Sequence, residues 1–335
     1  DSLARRGFGW VMDGQVHVEV LVGDISQPRL GIAADQAALL EDVGLVVHCG
    51  AQVSWVASYA SLRRPNACSV AGLIRLFPGR SHCLVSTMAA LGEGVGVAEE
   101  VASAVDEAKV WELHRKMGQA TAAGGYVLSK AVGEVVLQRG VEEGLVRGSI
   151  IRMGLCGPSS DTDTSDWNPD DFLSRLCTSV VSRGCAPHAP GARLEWFPVD
   201  RAAHVVALCA ASSRTRHAAD AALVPTFHVC LPPESWIDAN DVFTYLLDDV
   251  AGGGERVALE DWLQLVENDP ADALNPLVDF ARRSLRQRTR PPTARHMAAT
   301  VAAVDAHAQR TCLDPVPRHA VAALARALRT QKGKL

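Results

Sequence analysis

The chain has 335 residues, 48% of them hydrophobic, which is enough to build a full core and two lobes. Its formal net charge of −5 and its pI of about 6.1 argue against wholesale nucleic-acid binding. It contains no apolar run of the roughly 18 residues that a membrane span needs. Its nine cysteines form no Cys-x-x-Cys pair, which favours reduced thiols in the cytoplasm over disulfides or a zinc site.

Short apolar or alternating runs predict strands, and longer segments between them predict helices. In chain order, the predicted strands are 16–23, 44–49, 83–87, 148–152 and 227–230. The predicted helices are 59–77, 97–117, 126–144, 171–183 and an alanine-rich helix that ends near 212. Residues 158–169 form a polar loop, and the chain after Pro232 is mostly helical. Strands that alternate with helices indicate an α/β fold with a parallel sheet and right-handed crossovers.

The most informative motif is Tyr126-x-x-x-Lys130 at the start of a predicted helix. Residues four apart share a helix face, so the phenol and the ammonium point into one space. Because a nearby ammonium stabilises phenolate, we expect it to lower the pKa of Tyr126. Such a tyrosine can exchange a proton with a carbonyl oxygen while hydride moves at the carbon. The alternative is a surface helix pair without a catalytic role.

A hydroxyl pair, Ser86-Thr87, closes the predicted strand that precedes this helix. A hydroxyl at that point can donate a hydrogen bond to a substrate carbonyl, although it can also be an ordinary strand end. The order of strand, helix and side chains favours a catalytic group that combines this hydroxyl with Tyr126 and Lys130.

Small residues follow two other predicted strands. Gly23-Asp24 ends the first, and Cys49-Gly50-Ala51 ends the second. Ligands of open α/β sheets bind at the carboxyl ends of the strands, where Asp24 can accept from an adenine amino group. Gly50 and Ala51 would let a dinucleotide approach the backbone. Ordinary strand-to-helix turns favour glycine as well, so pattern alone leaves both interpretations open.

Glycine-rich runs elsewhere are interpreted as loops. Gly92-Glu93-Gly94-Val95-Gly96 is followed by Val97 and lies deep in the chain, whereas a phosphate loop needs Gly-x-Gly-x-x-Gly directly after a first strand. Gly252–Gly254 is a linker. The eleven histidines show no metal-ligand spacing, so no metal site is predicted, and His48 is interpreted as a core residue.

An arginine cluster lies near the C-terminal third of the chain. It consists of Arg282, Arg283, Arg286, Arg288 and Arg290. One interpretation is a docking patch for an acidic partner or a phosphate. The favoured alternative is a solvated helix face.

Several stretches resemble the extended short-chain dehydrogenase/reductase superfamily. Within it they are most similar to the thioester reductase domains of nonribosomal peptide synthetases, polyketide synthases and carboxylic acid reductases. The Pro-x-Leu-Gly tail of the first matching stretch is the most specific element. The matching stretches are residues 18–32, 46–55, 59–66, 84–87, 125–134, 150–159 and 196–200.

The resemblance implies roles for individual residues. The implied catalytic residues are Thr87, Tyr126 and Lys130. The implied contacts with NADPH include Asp24 and Ile25 at the adenine end, and Met153, Gly154 and Leu155 beside the nicotinamide. The remaining cofactor contacts are Cys49, Gly50, Ala51, Ser86 and Lys130.

The resemblance also implies two lobes. A Rossmann-like doubly wound domain would comprise 1–157 and 196–231, and a mostly helical substrate lobe would comprise 158–195 and 232–335. The family's opening βαβ unit, with its glycine-rich phosphate turn, is expected before Asp1. Without that turn we expect weak NADPH binding.

Two shorter family motifs depart from their usual form. Asn66 is followed by Ala67-Cys68-Ser69-Val70 where Asn-Val-x-Gly-Thr is usual, and Arg152-Met153-Gly154 stands where Arg-Pro-Gly is usual. Both departures are compatible with the fold.

The function that the resemblance implies is NADPH-dependent reductive release of an acyl chain from a carrier protein. The acyl group would hang as a thioester on a phosphopantetheine arm, with the carrier domain in the same polypeptide. The product would be an aldehyde, and a second hydride could take it on to an alcohol. The alternatives are a reductase of a free sugar nucleotide or ketone, and a non-catalytic docking module.

Overall fold

We describe the fold from a computed structural model of the chain. The described residues are 17–33, 36, 39–54, 56–91, 124–160, 168–214, 224–231, 235–247, 254–286, 297–305 and 321. Several predictions fall outside these residues. They are the 92–96 loop, the 97–117 helix, Arg288 and Arg290, and most of the 158–169 loop.

A four-stranded parallel sheet forms the centre of the fold. Its strands are β1 (Leu45–His48), β2 (Ser81–Thr87), β3 (Arg147–Met153) and β8 (Thr226–Val229), in that spatial order. Thr87 lies opposite Met153 in the register, so the carboxyl ends of β2 and β3 meet at one edge. This sheet confirms the predicted α/β class.

Helices cover both faces of the sheet. Helix α1 runs continuously through Tyr59–Leu62, a π-helical segment Arg63–Cys68, and Ser69–Leu76. The other helices against the sheet are α2 (Gly124–Glu142), α4 (Val199–Arg214) and α8 (Ala298–Asp305).

Neighbouring residues of β3 point to opposite faces, as the two-residue period of a strand requires. Ile150 packs with Ile74 and Leu137 of α1 and α2. Ile151 packs with Val205 of α4 and Val304 of α8. The middle of the sheet is therefore buried between two apolar layers, whereas Val47 of the edge strand β1 is exposed.

A second apolar cluster is built by helices that come after β3 in the chain. These helices are α3 (Phe172–Arg183), α5 (Ala239–Leu247), α6 (Leu259–Glu267) and α7 (Val278–Arg286). Phe172, Trp196, Phe243 and Trp262 are fully buried in it. Asp171 caps α3, because its side chain accepts a hydrogen bond of 3.0 Å from the Leu173 amide.

Short strands that the sequence did not predict complete this region. A parallel pair joins β5 (Cys185–His188) to β10 (Glu255–Ala258). Two-residue pairs join β4 (Cys156–Gly157) to β7 (Phe197–Pro198), and β6 (Arg193–Leu194) to β9 (Ile237–Asp238).

The predicted strand at 16–23 is wrong over the residues that the structure describes. Residues 17–24 adopt no regular secondary structure, and Val20 and Val22 are 77% and 83% exposed. A strand needs a hydrogen-bonding neighbour, and none of the described strands pairs with this segment. Alternation alone therefore did not suffice. In the described part of the chain, no helix is both long and apolar enough to cross a membrane.

Candidate active site

The first turn of α2 is held against the loop that precedes α1. A Cβ atom on Gly125 would lie 2.2 Å from the Ala57 carbonyl oxygen and 2.7 Å from the Tyr59 nitrogen. Only glycine permits this approach of two backbones. The contact fixes the position of Tyr126, the next residue along α2.

Lys130 is buried one turn further along α2. Its side chain is 3% exposed, and its Nζ donates a hydrogen bond of 2.5 Å to the Val85 carbonyl of β2. Burial lowers the pKa of Lys130 to about 8, against the opposing effects of Glu134 and Cys49. The amine therefore lies close to both the end of β2 and the end of β1, and it can titrate near neutral pH.

Tyr126 is half-buried, and its pKa moves in the direction opposite to our expectation. Burial, followed by the charge of Asp171, raises the pKa of Tyr126 to about 12. The prediction that Lys130 lowers this pKa is wrong, because burial and the negative charge of Asp171 disfavour the phenolate. Tyr126 is consequently a phenol at neutral pH, the form that can donate a proton.

The two hydroxyls at the end of β2 have different surroundings. Thr87 is half-buried at the carboxyl edge, where its Oγ1 accepts a hydrogen bond of 3.3 Å from the Ala89 amide. Ser86 is buried and its hydroxyl donates to Glu134 of α2. Thr87 is thus placed at the edge where ligands of such sheets bind, whereas the Ser86 hydroxyl is engaged inside the sheet–helix interface.

Asn66 ties three elements together from within the π-helical segment of α1. Its Oδ1 accepts from the Gln52 amide at 2.8 Å, and its Nδ2 donates to the Gln52 carbonyl at 3.0 Å and the Ser129 hydroxyl at 2.9 Å. The Ser129 hydroxyl in turn donates to the Tyr126 carbonyl at 2.7 Å. The loop after β1 is therefore bonded to the turn that carries Tyr126. The sequence pattern marks Asn66 only as part of an altered motif and gives no sign of these contacts.

A buried ion pair involves Glu134, which lies one turn beyond Lys130 on α2. Arg152 of β3 and Glu134 of α2 are 0% and 1% exposed, and the shortest of their hydrogen bonds joins Nη2 to Oε2 at 2.6 Å. His228 of β8 approaches Arg152 with a nitrogen–nitrogen distance of 3.4 Å. Sequence reasoning missed this network. The available signal was an arginine within a buried strand, which requires an acidic partner.

The residues predicted at the adenine end lie next to the end of β1. The Ile25 Cδ1 atom is 3.8 Å from the position that a Cβ on Gly50 would take. Asp24 is exposed, and its Oδ1 accepts from the amide and hydroxyl of Ser26, which lowers the pKa of the carboxyl. Cys49 and Gly50 are exposed and Ala51 is half-buried, so this stretch of backbone is open to a ligand.

The segment predicted beside the nicotinamide continues directly from β3. Met153, Gly154 and Leu155 are half-buried, and the Gly154 amide donates to the Val229 carbonyl at 2.9 Å. The Glu195 carboxylate packs directly on Gly154. Sequence reasoning gave no role to Glu195.

These residues fit a nicotinamide dinucleotide in part. The open backbone at Gly50, the neighbouring Lys130 amine, and the Gly154 backbone meet at the carboxyl edge of the sheet, where such cofactors bind. A glycine-rich turn at a helix N-terminus, which would hold a pyrophosphate, is not found among the described residues. The same residues also contain no cluster of three potential metal ligands.

The arginines of the predicted docking patch pair with acidic residues of their own chain. Arg282 forms salt bridges with Asp279 at 2.7 Å and Glu267 at 3.0 Å, and Arg286 bonds Glu260 at 2.7 Å. Much of the positive charge of this surface is therefore compensated locally.

The doubly covered parallel sheet, with a tyrosine and a buried lysine on one helix at its carboxyl edge, defines an oxidoreductase of the extended short-chain dehydrogenase/reductase class. Residues 7–206 match the NAD-binding family described as male sterility protein. The chain therefore belongs to this family, whose members are NAD(P)H-dependent oxidoreductases. This confirms the predicted superfamily and enzyme class.

Curated relatives are much longer than this chain. A linear gramicidin synthase of Brevibacillus parabrevis is 28% identical over 267 residues, which cover 78% of this chain and 5% of that protein. L-2-aminoadipate reductase of Saccharomyces cerevisiae is 27% identical over 285 residues, which cover 82% of this chain and 20% of that protein.

Solved structures share the fold. The terminal R domain from the myxalamid PKS-NRPS pathway superposes with a TM-score of 0.72 at 21% identity, covering 99% of this chain and 79% of that one. A thiolation-reductase di-domain from an archaeal non-ribosomal peptide synthetase gives a TM-score of 0.61 at 14% identity, covering 98% and 67% of the two chains.

Proposed function

We propose that this chain catalyses NADPH-dependent reductive release of an acyl or peptidyl thioester from a carrier protein, giving an aldehyde. The observation that carries the proposal is the attachment of Lys130 to Val85, two residues before Thr87, with Tyr126 one turn away on the same helix. This arrangement supports a site in which the Tyr126 phenol, the Lys130 amine and the Thr87 hydroxyl would act together at the carboxyl edge of the sheet.

The relatives support this choice of substrate class. Their names include a linear gramicidin synthase and aminoadipate reductases, and one structural neighbour joins a thiolation domain to a reductase domain. We therefore propose a phosphopantetheine-bearing carrier domain in the same polypeptide as the partner. Arg283 and its neighbours are a weaker candidate for docking it, because Arg282 and Arg286 are already paired.

Two further assignments belong to the proposal. The NADP-binding domain comprises 1–157 and 196–231, and the substrate lobe comprises 158–195 and 232–335, which contribute most of the second apolar cluster. The compartment is the cytoplasm, where NADPH and reduced thiols are available. Cys49, Cys83 and Cys177, which are free thiols, are compatible with it.

Bound NADPH would supply the hydride for the thioester carbon. Asp24 and Ile25 would hold the adenine end, Cys49, Gly50 and Ala51 would lie along the dinucleotide, and the Met153–Leu155 backbone would flank the nicotinamide. Lys130 would bond the ribose. Ser86 would act from within the interface, because its hydroxyl is bonded to Glu134.

Thr87 and Tyr126 would donate hydrogen bonds to the thioester oxygen. Donors placed where negative charge develops stabilise the transition state, often by several kcal/mol. As hydride reaches the carbon, the Tyr126 phenol gives its proton to the oxygen, which produces a hemithioacetal. The carbon–sulfur bond then breaks, and the aldehyde and the carrier thiol leave. The Lys130 amine, with a pKa of about 8, can return a proton to Tyr126.

The test follows NADPH oxidation by the full chain with an acyl-loaded carrier protein, and separately with a free ketone and a sugar nucleotide. We expect turnover with the loaded carrier, and a loss of 10²- to 10⁴-fold in Tyr126→Phe, the range of general acid catalysis. Tyr245→Phe, in α5, is the matched control and should retain activity. Turnover of the free substrates alone would assign another reductase, and failure to bind NADPH would favour the docking module.

A further inference from the structure

Glu195 is a buried carboxylate that the mechanism above does not use. It lies between β6 and β7 and is 9% exposed. A Cβ atom on Gly154 would lie 2.1 Å from its Oε1 and 2.6 Å from its Oε2. The carboxylate therefore covers Gly154 so closely that a side chain at position 154 would have to displace it.

The Glu195 carboxylate accepts backbone hydrogen bonds from two different segments. The Leu231 amide, just after β8, donates to Oε1 at 2.9 Å. The Leu155 amide, just after β3, also bonds this carboxylate. One side chain thus links the ends of two parallel strands at the edge where the candidate site lies.

Further contacts hold the same segment, the residues that directly follow β3. The Phe197 amide donates to the Leu155 carbonyl at 3.1 Å, and the Gly154 amide donates to the Val229 carbonyl at 2.9 Å. The Trp196 ring fills the space beside Gly157, with its Cδ1 1.7 Å from the position a Cβ would take. The segment after β3 is held from both sides, and Glu195 provides the only charge among these contacts.

A carboxylate in this position is costly for the fold. Burial raises the pKa of Glu195 to about 7, while the Leu231 and Leu155 amides lower it in part. A neutral side chain of similar size would avoid this cost. The titratable neighbour is Cys156 of β4, whose thiol pKa is raised to about 12 by burial and by the charges of Glu195 and Asp171.

We infer that Glu195 is a positioning residue that sets the Gly154–Leu155 backbone against which the nicotinamide ring lies. The inference rests on the proposed function, because the nicotinamide is placed beside this segment by that proposal. Glu195 itself touches the backbone and acts through it. A displacement of about 1 Å in such a segment can lower the rate of hydride transfer by about 100-fold.

The first test is Glu195→Gln, with Glu255→Gln on exposed β10 as the matched control. A glutamine presents N–H groups toward the Leu155 and Leu231 amides, so one of these hydrogen bonds is lost. We expect amide hydrogen exchange at Leu155 and Leu231 to accelerate at least 10-fold in cofactor-free Glu195→Gln and to be unchanged in the control. Unchanged exchange in Glu195→Gln would overturn the inference.

The second test separates positioning from simple structural support. We expect kcat to fall 10- to 100-fold in Glu195→Gln while KM for the acyl-loaded carrier stays within twofold. We also expect the wild-type rate to decline as pH falls through about 7, where Glu195 takes up a proton. This acidic limb of the pH–rate profile should be absent in Glu195→Gln. An unchanged kcat, or a limb that persists, would contradict the inference.

A variant with a shorter acidic side chain, Glu195→Asp, covers the case in which Glu195→Gln does not fold. Glu195→Asp keeps the charge but withdraws it from the two amides. We therefore expect faster amide hydrogen exchange and a lower kcat, as in Glu195→Gln, but the decline of the rate at acidic pH should remain. If wild-type protein shows no reductase activity, the proposed function fails, and exchange together with NADPH binding still decides the role of Glu195. If both variants show the amide hydrogen exchange and the NADPH affinity of the wild-type protein, the inference about Glu195 is overturned.

Discussion

Lys130 and Val85 are joined by a hydrogen bond of 2.5 Å from the lysine ammonium to a main-chain carbonyl of β2. The bond ties the helix that carries Tyr126 to the strand that ends at Thr87. Burial and the charge of Asp171 raise the pKa of Tyr126 to about 12, so it stays protonated. Lys130 therefore organises the site and relays a proton, rather than turning Tyr126 into phenolate.

This role predicts a pH dependence for Lys130. Its pKa is lowered from 10.5 to about 8, so the protonated fraction falls as pH rises through about 8. We expect kcat/KM for the acyl-loaded carrier to decline above about pH 8, and Lys130→Arg, which stays protonated, to lose that decline. Because arginine cannot relay a proton, its plateau should be at least 10-fold lower. A wild-type rate that is flat from pH 7 to 10 would contradict this role.

The buried pair of Glu134 and Arg152 predicts a large effect on stability. Glu134→Gln removes the charge opposite a fully buried guanidinium, and we expect a loss of about 3–5 kcal/mol in the free energy of unfolding. Urea denaturation measures this loss. As a control, Glu142→Gln disrupts the exposed pair with Arg139 and should cost less than about 1 kcal/mol. Equal effects of the two substitutions would show that the buried pair is not special.

Glycine at position 125 is predicted to be irreplaceable. In Gly125→Ala the added Cβ would lie 2.2 Å from the Ala57 oxygen, so the first turn of α2 must move and carry Tyr126 with it. We expect a loss of at least 10-fold in kcat, measured by NADPH oxidation. Gly72→Ala is the matched control, because among the described residues its Cβ would meet only the Leu30 side chain, at 3.7 Å. Alanine there should be neutral or add about 0.5–1 kcal/mol of helix stability.

The raised pKa of Glu195 predicts how stability changes with pH. Between its ordinary value of 4.5 and about 7, the folded state holds a proton that the unfolded state has released. Stability is therefore lost as pH rises through this window, by up to about 3 kcal/mol. Chemical denaturation at pH 4.5 and pH 7.5 should show a smaller decrease in Glu195→Gln than in wild type. An identical decrease in the two proteins would contradict the assignment of this pH dependence to Glu195.

The sequence predicted the central strands from short apolar segments within them. Residues 83–85 of β2 and residues 150–151 of β3 are examples. It failed at 17–23, where alternating valines satisfy the strand pattern but have no described neighbour to pair with. The parallel pair of β5 and β10 was missed because its strands carry little local pattern. Each strand is four residues long, one contains Pro187, and their pairing depends on distant packing.

The candidate site was predictable where a motif carries it. Tyr126 and Lys130 were found by their spacing, and Thr87 by its place at a strand end. Glu134, Glu195 and Asn66 were missed because their partners are separated from them in sequence, for instance by 36 residues between Glu195 and Leu231. No local pattern marks the contacts of Glu195 and Asn66, and for Glu134 the available signal was the arginine within a buried strand. The direction of the Tyr126 pKa shift was missed because it depends on the burial of the phenol and on the charge of Asp171, 45 residues away in the chain, neither of which spacing fixes.

The most direct test of the account is to follow the hydride itself. NADPH deuterated on the transferred position of the nicotinamide ring is incubated with the full chain and an acyl-loaded carrier protein, and the released product is examined by mass spectrometry. We predict one deuterium on the aldehyde carbon with wild-type protein and with Tyr245→Phe, and almost none with Tyr126→Phe. Deuterium transfer at the wild-type rate by Tyr126→Phe, or none by wild-type protein that binds NADPH, would contradict it.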